Sequence, residues 1–238
     1  MKARHFQNLL RWPLLLLGLI WTVFLLDHYV MDRSLTFWYG LSTRELAGLP
    51  GIIAAPLLHS GWPHLLSNSF PFLTLSGLLV FFYPRLWPRV LVSLWLGTGA
   101  MVWAFGRSVT HIGASGVVYA LAAFLGFSGF FRRDFRAIIV SLVVLFYYGG
   151  MVVGIVPGQQ GISWESHLLG LIMGILAAYV YRGELEEHEI DARQRQLDRQ
   201  RNRRQKERVL RKDAFDKTKQ ERESEAFFEK LRNLQGRE

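Results

Sequence analysis

Long apolar segments recur six times along the first 181 residues, and short polar stretches separate them. Each segment is about 20 residues long, the length that a helix needs to cross the hydrocarbon core of a bilayer. Charged residues are sparse up to residue 181 and dense after it. The pattern predicts an all-α polytopic membrane protein with spans at roughly 12–31, 64–83, 88–106, 113–131, 136–156 and 165–181.

The change in pattern also predicts two domains, a six-span membrane domain over 1–181 and a charged cytoplasmic tail over 182–238. The tail alternates acidic with basic residues and has few apolar positions, so it favours helix but has little to bury. We expect a solvated helix or a partly disordered segment. A membrane-surface arm, a coiled-coil partner site and an RNA-binding arm remain open as alternatives.

Basic residues favour alternate loops, and this bias predicts the orientation of the chain. Arg85 and Arg89 lie between spans two and three, whereas residues 157–164 hold no basic residue. Because positively charged loops stay in the cytoplasm, both termini are expected there, with loops 32–63, 107–112 and 157–164 outside. The first span is expected to be retained, because no small-residue cleavage site follows it.

Composition limits the binding partners and the reactive groups that we expect for this chain. The net charge of +9 follows from the positive loops and the mixed-charge tail, so we expect the lipid bilayer and transmembrane proteins as partners, not nucleic acid. The absence of cysteine excludes disulfides and thiol chemistry and fits a bacterial inner membrane. No metal or cofactor is expected, because no carboxylate or third histidine accompanies His64 and His167.

Four polar side chains stand at the predicted outer ends of three spans. Span two begins with His64 and Asn68, span four with Ser115, and span six with His167. Polar residues at membrane depth are costly and by default indicate a functional site. The predicted topology brings the four to one level, so we expect them to form one site.

These four side chains can share the steps of acyl transfer. A serine such as Ser115 needs a base to take its proton, and a neutral His167 suits that role. His64 and Asn68 lie four residues apart on one helix face, and both can donate a hydrogen bond to a developing oxyanion. Glu165 points elsewhere on a helix, so the sequence predicts a Ser–His dyad without a third carboxylate.

Small residues accompany the predicted dyad. Gly113 and Gly116 flank Ser115 and would allow another backbone to approach its hydroxyl. Gly170 and Gly174 lie four residues apart on one face of span six. Small residues commonly serve helix packing in membranes, which is the structural alternative for Ser115 taken alone. The two small faces predict close packing of spans four and six.

The chain resembles the rhomboid intramembrane serine proteases in their six-helix bacterial form, from about residue 12 to 181. The resemblance rests on three motifs that follow in the family's order on the corresponding helices: His64-x-x-x-Asn68, Gly113-Ala-Ser115-Gly116 and His167-x-x-Gly170-x-x-x-Gly174. It implies a rhomboid-like bundle that cleaves transmembrane helices near the outer face. It also implies Ser115 as the nucleophile and His167 as the general base.

The resemblance implies further roles. His64, Asn68 and the Ser115 backbone N–H would form the oxyanion hole. Tyr119 matches an aromatic residue that packs against the catalytic histidine, and His59 matches a structural histidine. Two features depart from the family: Pro50-Gly51 stands near the position of a Trp-Arg pair found in many members, and Ser166 replaces the usual alanine before the catalytic histidine.

Two alternatives to the protease make different demands on the sequence. A catalytically silent rhomboid-like protein would bind membrane helices as a chaperone or adaptor. A transporter would need intramembrane charges or paired broken helices, which the sequence lacks.

Three further parts of the chain carry structural expectations. His111 is expected to be exposed. The glycines from Gly149 to Gly154 are expected to loosen span five, where substrate would enter, and the apolar loop 32–63 is expected to rest in the interface or on the helices.

Overall fold

The structure, a computed structural model, describes residues 3–158, 163–213 and 218–235. The α-helices of these ranges are α1 (Ala3–Tyr29), α2 (Ser34–Tyr39), α3 (Gly51–Ala54), α4 (Trp62–Phe82), α5 (Trp87–Phe105), α6 (Ser115–Arg132), α7 (Phe135–Tyr148), α8 (Trp164–Val180), α9 (Glu187–Asp213) and α10 (Lys219–Gln235). Short 3₁₀ helices cover Leu46–Gly48, Ala55–Leu57, Gly149–Ile155 and Tyr181–Gly183. Two short strands, β1 (Leu41–Ser42) and β2 (Thr110–His111), pair antiparallel.

Six of the described helical segments are long and apolar enough to cross a membrane: Arg11–Tyr29, Trp62–Phe82, Trp87–Phe105, Ser115–Arg132, Phe135–Ile155 and Trp164–Gly183. Their ends lie within two residues of the predicted bounds, and the predicted helical fold class is confirmed. Large apolar side chains such as Phe130, Leu142 and Phe146 point outward from these helices. A surface this apolar suits contact with lipid.

Helix α6 occupies the centre of the bundle and is its most buried span. It packs against α8 through backbone rather than side chains: Gly170 faces the carbonyl of Gly116, and Gly174 faces the carbonyl of Ala120. The close packing predicted for spans four and six is therefore present. Because Ser115 starts α6 and His167 lies in the first turn of α8, this packing brings both residues to the same end of the bundle.

The segment between α1 and α4 folds onto the helices, as the sequence predicted. Its backbone carbonyls accept hydrogen bonds from α5, with Trp95 donating to Ile53 and Trp103 to Glu45, both at 2.9 Å. Buried Asp27 at the end of α1 accepts hydrogen bonds from the first turn of α2, including the Thr36 hydroxyl. This carboxylate satisfies N–H groups that the helix itself leaves unpaired.

The opposite end of the bundle is held by charged groups that satisfy backbone atoms. Glu186 is fully buried and accepts the N–H groups of Arg85 and Leu86 at the start of α5. Arg132 at the end of α6 donates to the carbonyls of Tyr181 and Glu184 after α8. By contact density, Met1–Glu186 forms one compact unit and Glu187–Glu238 a second.

Candidate active site

A cavity of about 750 Å³ opens at the end of the bundle where α4, α6 and α8 begin. The side chains that line it include Ser115, His167, His64, Asn68 and Tyr119. These residues come from three different helices, and the structure brings all of them to one space. The residues predicted to lie at one level of the bundle therefore line the same cavity.

Ser115 is the first residue of α6, and the backbone before it turns sharply. Gly113 has φ +105°, a conformation that favours glycine, and its N–H donates to the Ala55 carbonyl at 2.8 Å. The His64 ring lies where a side chain at Gly113 would project. The N–H of Ser115 has no helical carbonyl one turn earlier, so it is available to a ligand in the cavity.

His167 is oriented by a backbone carbonyl. Its Nδ1 lies 2.9 Å from the carbonyl oxygen of Gly154, and since a carbonyl only accepts, Nδ1 must carry the proton. The neutral ring then has an unprotonated Nε2, which is the form that a general base needs. Gly154 belongs to the 3₁₀ segment that follows α7, where the glycines were predicted to loosen span five.

Tyr119 holds the His167 ring from the other side. The two rings are stacked, with centroids 4.1 Å apart and an interplanar angle of 8°. The Tyr119 hydroxyl donates to the carbonyl of Met151 at 2.7 Å. Tyr119 and His167 are thus both bonded to the same 3₁₀ segment, so its position determines where the imidazole points.

His64 has the opposite tautomer. The backbone N–H of Ser60 donates to His64 Nδ1 at 3.4 Å, and the Ser60 hydroxyl lies 3.1 Å from the same atom. With Nδ1 as acceptor, Nε2 carries the proton and can donate. Asn68 uses one amide hydrogen on the His64 carbonyl at 3.1 Å, which leaves its second hydrogen free for a ligand. Both side chains are therefore donors beside Gly113.

His59 supports this arrangement from below the cavity. Its Nε2 lies 3.5 Å from the N–H of Ala114, and its ring contacts His64 edge to face, with centroids 4.9 Å apart. His59 is 1% exposed, and burial, with the nearby His64, lowers its pKa from 6.5 to about 4. A neutral His59 can accept from Ala114, which a protonated one cannot.

Acidification is expected to destabilise the fold through His59. The unfolded chain takes up this proton near pH 6.5 and the folded chain only near pH 4, so the stabilisation present above 6.5 is lost as the pH falls between these values. SDS unfolding in mild detergent should show that the wild type loses more stability over this range than His59→Gln does, by up to about 3 kcal/mol. Equal losses in both proteins would contradict this role.

His111 is not exposed, contrary to the expectation from sequence. It is 3% exposed because β2 pairs with β1, and its Nδ1 lies 2.7 Å from the Ser163 hydroxyl. Ser163 also contacts the hydroxyl of Ser166, the residue that departs from the family pattern. This chain of hydrogen bonds fixes the start of α8, just before His167, to the strand that leads into α6.

Glu165 does not serve His167. It is buried and pairs with Arg107, whose guanidinium also lies over the ring of Trp164. Among the residues that the structure describes, no carboxylate hydrogen-bonds to His167. The partner of His167 Nδ1 is the Gly154 carbonyl instead.

The sequence comparison agrees with the geometry. The Rhomboid domain matches residues 47–184, a range that runs from the 3₁₀ helix before α3 to the residue after the 3₁₀ helix that follows α8. The chain belongs to the Rhomboid family. The matched range contains every residue of the cavity described above. Rhomboid membership rests on a match that spans α3 to α8 and on no single residue.

The chain is also similar to an uncharacterized protein of Mycobacterium tuberculosis, with 38% identity over 150 residues. That alignment covers 59% of this chain and 62% of the relative, so it spans less than two thirds of the curated protein's length. An uncharacterized protein of Mycobacterium leprae is 34% identical over 177 residues, which cover 69% of this chain and 68% of the relative.

Proposed function

We propose that this chain is an intramembrane serine endopeptidase that uses Ser115 and His167. The observation that supports this most strongly is the hydrogen bond from His167 Nδ1 to the Gly154 carbonyl, because it leaves Nε2 as a base in the cavity that Ser115 shares. A serine hydroxyl becomes an effective nucleophile only with such a base beside it. No metal or cofactor takes part in the proposed reaction.

In the first half of the reaction, Ser115 Oγ attacks the carbonyl carbon of the scissile peptide bond. The hydroxyl proton passes to His167 Nε2 as the new C–O bond forms. The oxyanion receives hydrogen bonds from His64 Nε2–H, Asn68 Nδ2–H and the Ser115 N–H, whose positions around Gly113 support this assignment. The C–N bond then breaks, and His167 returns the proton to the leaving amine.

In the second half, water hydrolyses the acyl-enzyme. His167 Nε2 takes a proton from the water as its oxygen attacks the ester carbon, and the same proton returns to Ser115 Oγ when the C–O bond to serine breaks. The cavity must therefore admit water at membrane depth. Its polar lining, which includes Thr110 and Ser163, suits this requirement.

The proposed substrates are transmembrane helices that enter between α4 and α7 and unwind beside Ser115. The change from α-helix to 3₁₀ helix at Gly149 supports entry on this side, because such a segment has weaker hydrogen-bond geometry than the helix before it. With both termini in the cytoplasm, as the basic loops indicate, the cut would lie near the outer face of a bacterial inner membrane.

One observation favours a second function, a silent family member that binds membrane helices as a chaperone or adaptor. Within the described ranges, no hydrogen bond joins the Ser115 hydroxyl to His167. Catalytic hydrogen bonds are often long without substrate and shorten only in the complex, so the endopeptidase remains the function that the site supports best.

A serine-reactive fluorophosphonate probe distinguishes the two functions. The purified protein should be labelled, Ser115→Ala should not, and incubation with a model single-span substrate should give a cut that mass spectrometry maps near its outer end. A folded wild-type protein that neither labels nor cleaves would contradict the endopeptidase and favour the adaptor.

Loss of either oxyanion donor is expected to slow cleavage without stopping it. His64→Ala and Asn68→Ala should each reduce kcat by about 10²-fold, the usual cost of one oxyanion donor, with a smaller change in KM. Ser67→Ala is a matched control, because its hydroxyl lines the same cavity but bonds to the His64 carbonyl within α4. Wild-type rates in both donor variants would contradict the oxyanion assignment.

A further inference from the structure

Helix α9 carries a concentration of positive charge that the proposed catalysis does not use. Residues 193–208 hold eight basic and two acidic residues, and every side chain in this range is exposed. Within it, residues 199–206 contain five basic residues and no acidic one. We refer to residues 199–206 as the basic block.

The basic block is poorly explained as a solvated helix. Such helices are stabilised by oppositely charged pairs three or four residues apart, whereas like-charged pairs at these spacings destabilise them. Arg199 and Arg203 are four apart, and Arg203 and Lys206 are three apart. A polyanion beside the helix would attract these side chains and so offset their mutual repulsion.

Helix α10 shows what a solvated helix of this tail looks like. Its range has four basic and four acidic residues, and Lys219 pairs with Glu223 at the i,i+4 spacing. Both helices are rich in charge, but only α9 has a strong excess of one sign. α10 therefore provides a matched control for any experiment on the basic block.

One face of α9 combines positive charge with an apolar residue. Leu197, Arg201, Arg204 and Arg208 follow each other at the spacing of one helix face and line a shallow groove with Gln200 and Gln205. Guanidinium groups bind phosphate oxygens in a bidentate manner, and an apolar side chain among them suits the boundary between headgroups and acyl chains. The face has the composition of a surface for lipid phosphates.

The covalent link between the basic block and the last span indicates which polyanion the block meets. The last span ends at Gly183, and the basic block begins 16 residues later. Even a fully extended chain of this length would carry it no more than about 58 Å from the end of the span. Lipid headgroups of the protein's own bilayer are therefore present at high effective concentration, whereas a nucleic acid would have to be recruited from solution.

We propose that residues 193–208 of α9 bind the phosphate groups of anionic lipids in the bilayer that holds the protein. The positive charge attracts the headgroups, and Leu197 enters the interface. This binding does not depend on cleavage, so the Ser115→Ala protein should show it as well. It would hold the tail on the membrane surface.

The test uses the absence of cysteine, which allows Gln200→Cys to carry a single thiol-attached, environment-sensitive fluorophore in the full-length protein, excited at a wavelength that tryptophan does not absorb. In vesicles of phosphatidylcholine with phosphatidylglycerol, the emission should shift to the blue relative to phosphatidylcholine alone, and high salt should reverse the shift. Changing the five basic residues of the block to Gln should remove it. Changing Lys219, Arg222, Lys230 and Arg232 of α10 to Gln should not.

Three outcomes would overturn the proposal. The first is the same emission in both kinds of vesicle, a comparison that needs no variant to fold. The second is a shift in phosphatidylcholine vesicles on adding inorganic phosphate that equals the effect of phosphatidylglycerol, which would indicate a site for free phosphate. The third is a larger shift with RNA than with phosphatidylglycerol, which would indicate a nucleic-acid arm.

Discussion

Ser115→Ala and His167→Ala are each expected to reduce cleavage of a single-span substrate by about 10⁴-fold or more. Removal of the Ser115 hydroxyl leaves no atom to form the acyl-enzyme, and removal of the imidazole leaves the hydroxyl protonated. The two losses should not add, because nucleophile and base act in the same step. The double variant should therefore cleave no more slowly than either single variant.

Substrate binding and folding provide the controls for this result. Ser115→Ala changes a single oxygen atom and should retain the substrate affinity and unfolding midpoint of the wild type. His167→Ala also loses the stacking on Tyr119, so its unfolding must be measured before its rate is interpreted. A purified Ser115→Ala protein that still cleaves at the same bond would exclude Ser115 as the nucleophile.

The sequence predicted the helical framework closely because bilayer thickness constrains it. A span needs about 20 apolar residues whatever its tertiary contacts, so composition alone sets its ends. The region between α1 and α4 was harder to predict, because its structure depends on distant partners. The pairing of Leu41 with His111 and the capping of α2 by Asp27 leave no local signal.

The candidate site was predictable as a set of residues but not as a set of hydrogen bonds. Motif and topology placed Ser115 and His167 at one level. The partner of His167 is a backbone carbonyl, a group that every residue has, so no motif marks it. Its one trace in the sequence is the glycine at position 154, where an added Cβ would meet the Tyr119 hydroxyl. His111 was misjudged because a short loop between spans usually faces water, whereas here a two-residue strand buries it.

The hydrogen bonds to the 3₁₀ segment link the proposed entry route to the proposed base. His167 bonds to Gly154 and Tyr119 to Met151, and both carbonyls lie on the segment that continues α7. A substrate helix that displaces this segment would also displace the groups that orient the imidazole. The proposed order of events is therefore entry first and completion of the dyad after the segment returns.

Gly170→Leu is expected to disrupt the bundle, and Gly170→Ala to weaken it measurably. A side chain at Gly170 would contact the carbonyl of Gly116, a backbone atom that cannot rotate away, so α6 and α8 would have to separate. Overpacking of this kind costs about 1–3 kcal/mol for a small group and more for a large one. The same separation would move His167, three residues away on α8, relative to Ser115.

Two opposing effects determine whether Gly170→Ala raises or lowers the stability of the protein. Glycine within a helix is about 1 kcal/mol less favourable than alanine, so a substitution without a contact should stabilise the protein. Gly18 in α1 is the matched control, because it lies within a span and nothing lies within 4 Å of an added Cβ. SDS unfolding should therefore show a gain or no change for Gly18→Ala and a loss for Gly170→Ala. Equal stability of the two variants, with full cleavage by Gly170→Ala, would mean that α6 and α8 do not need this close contact to position the dyad.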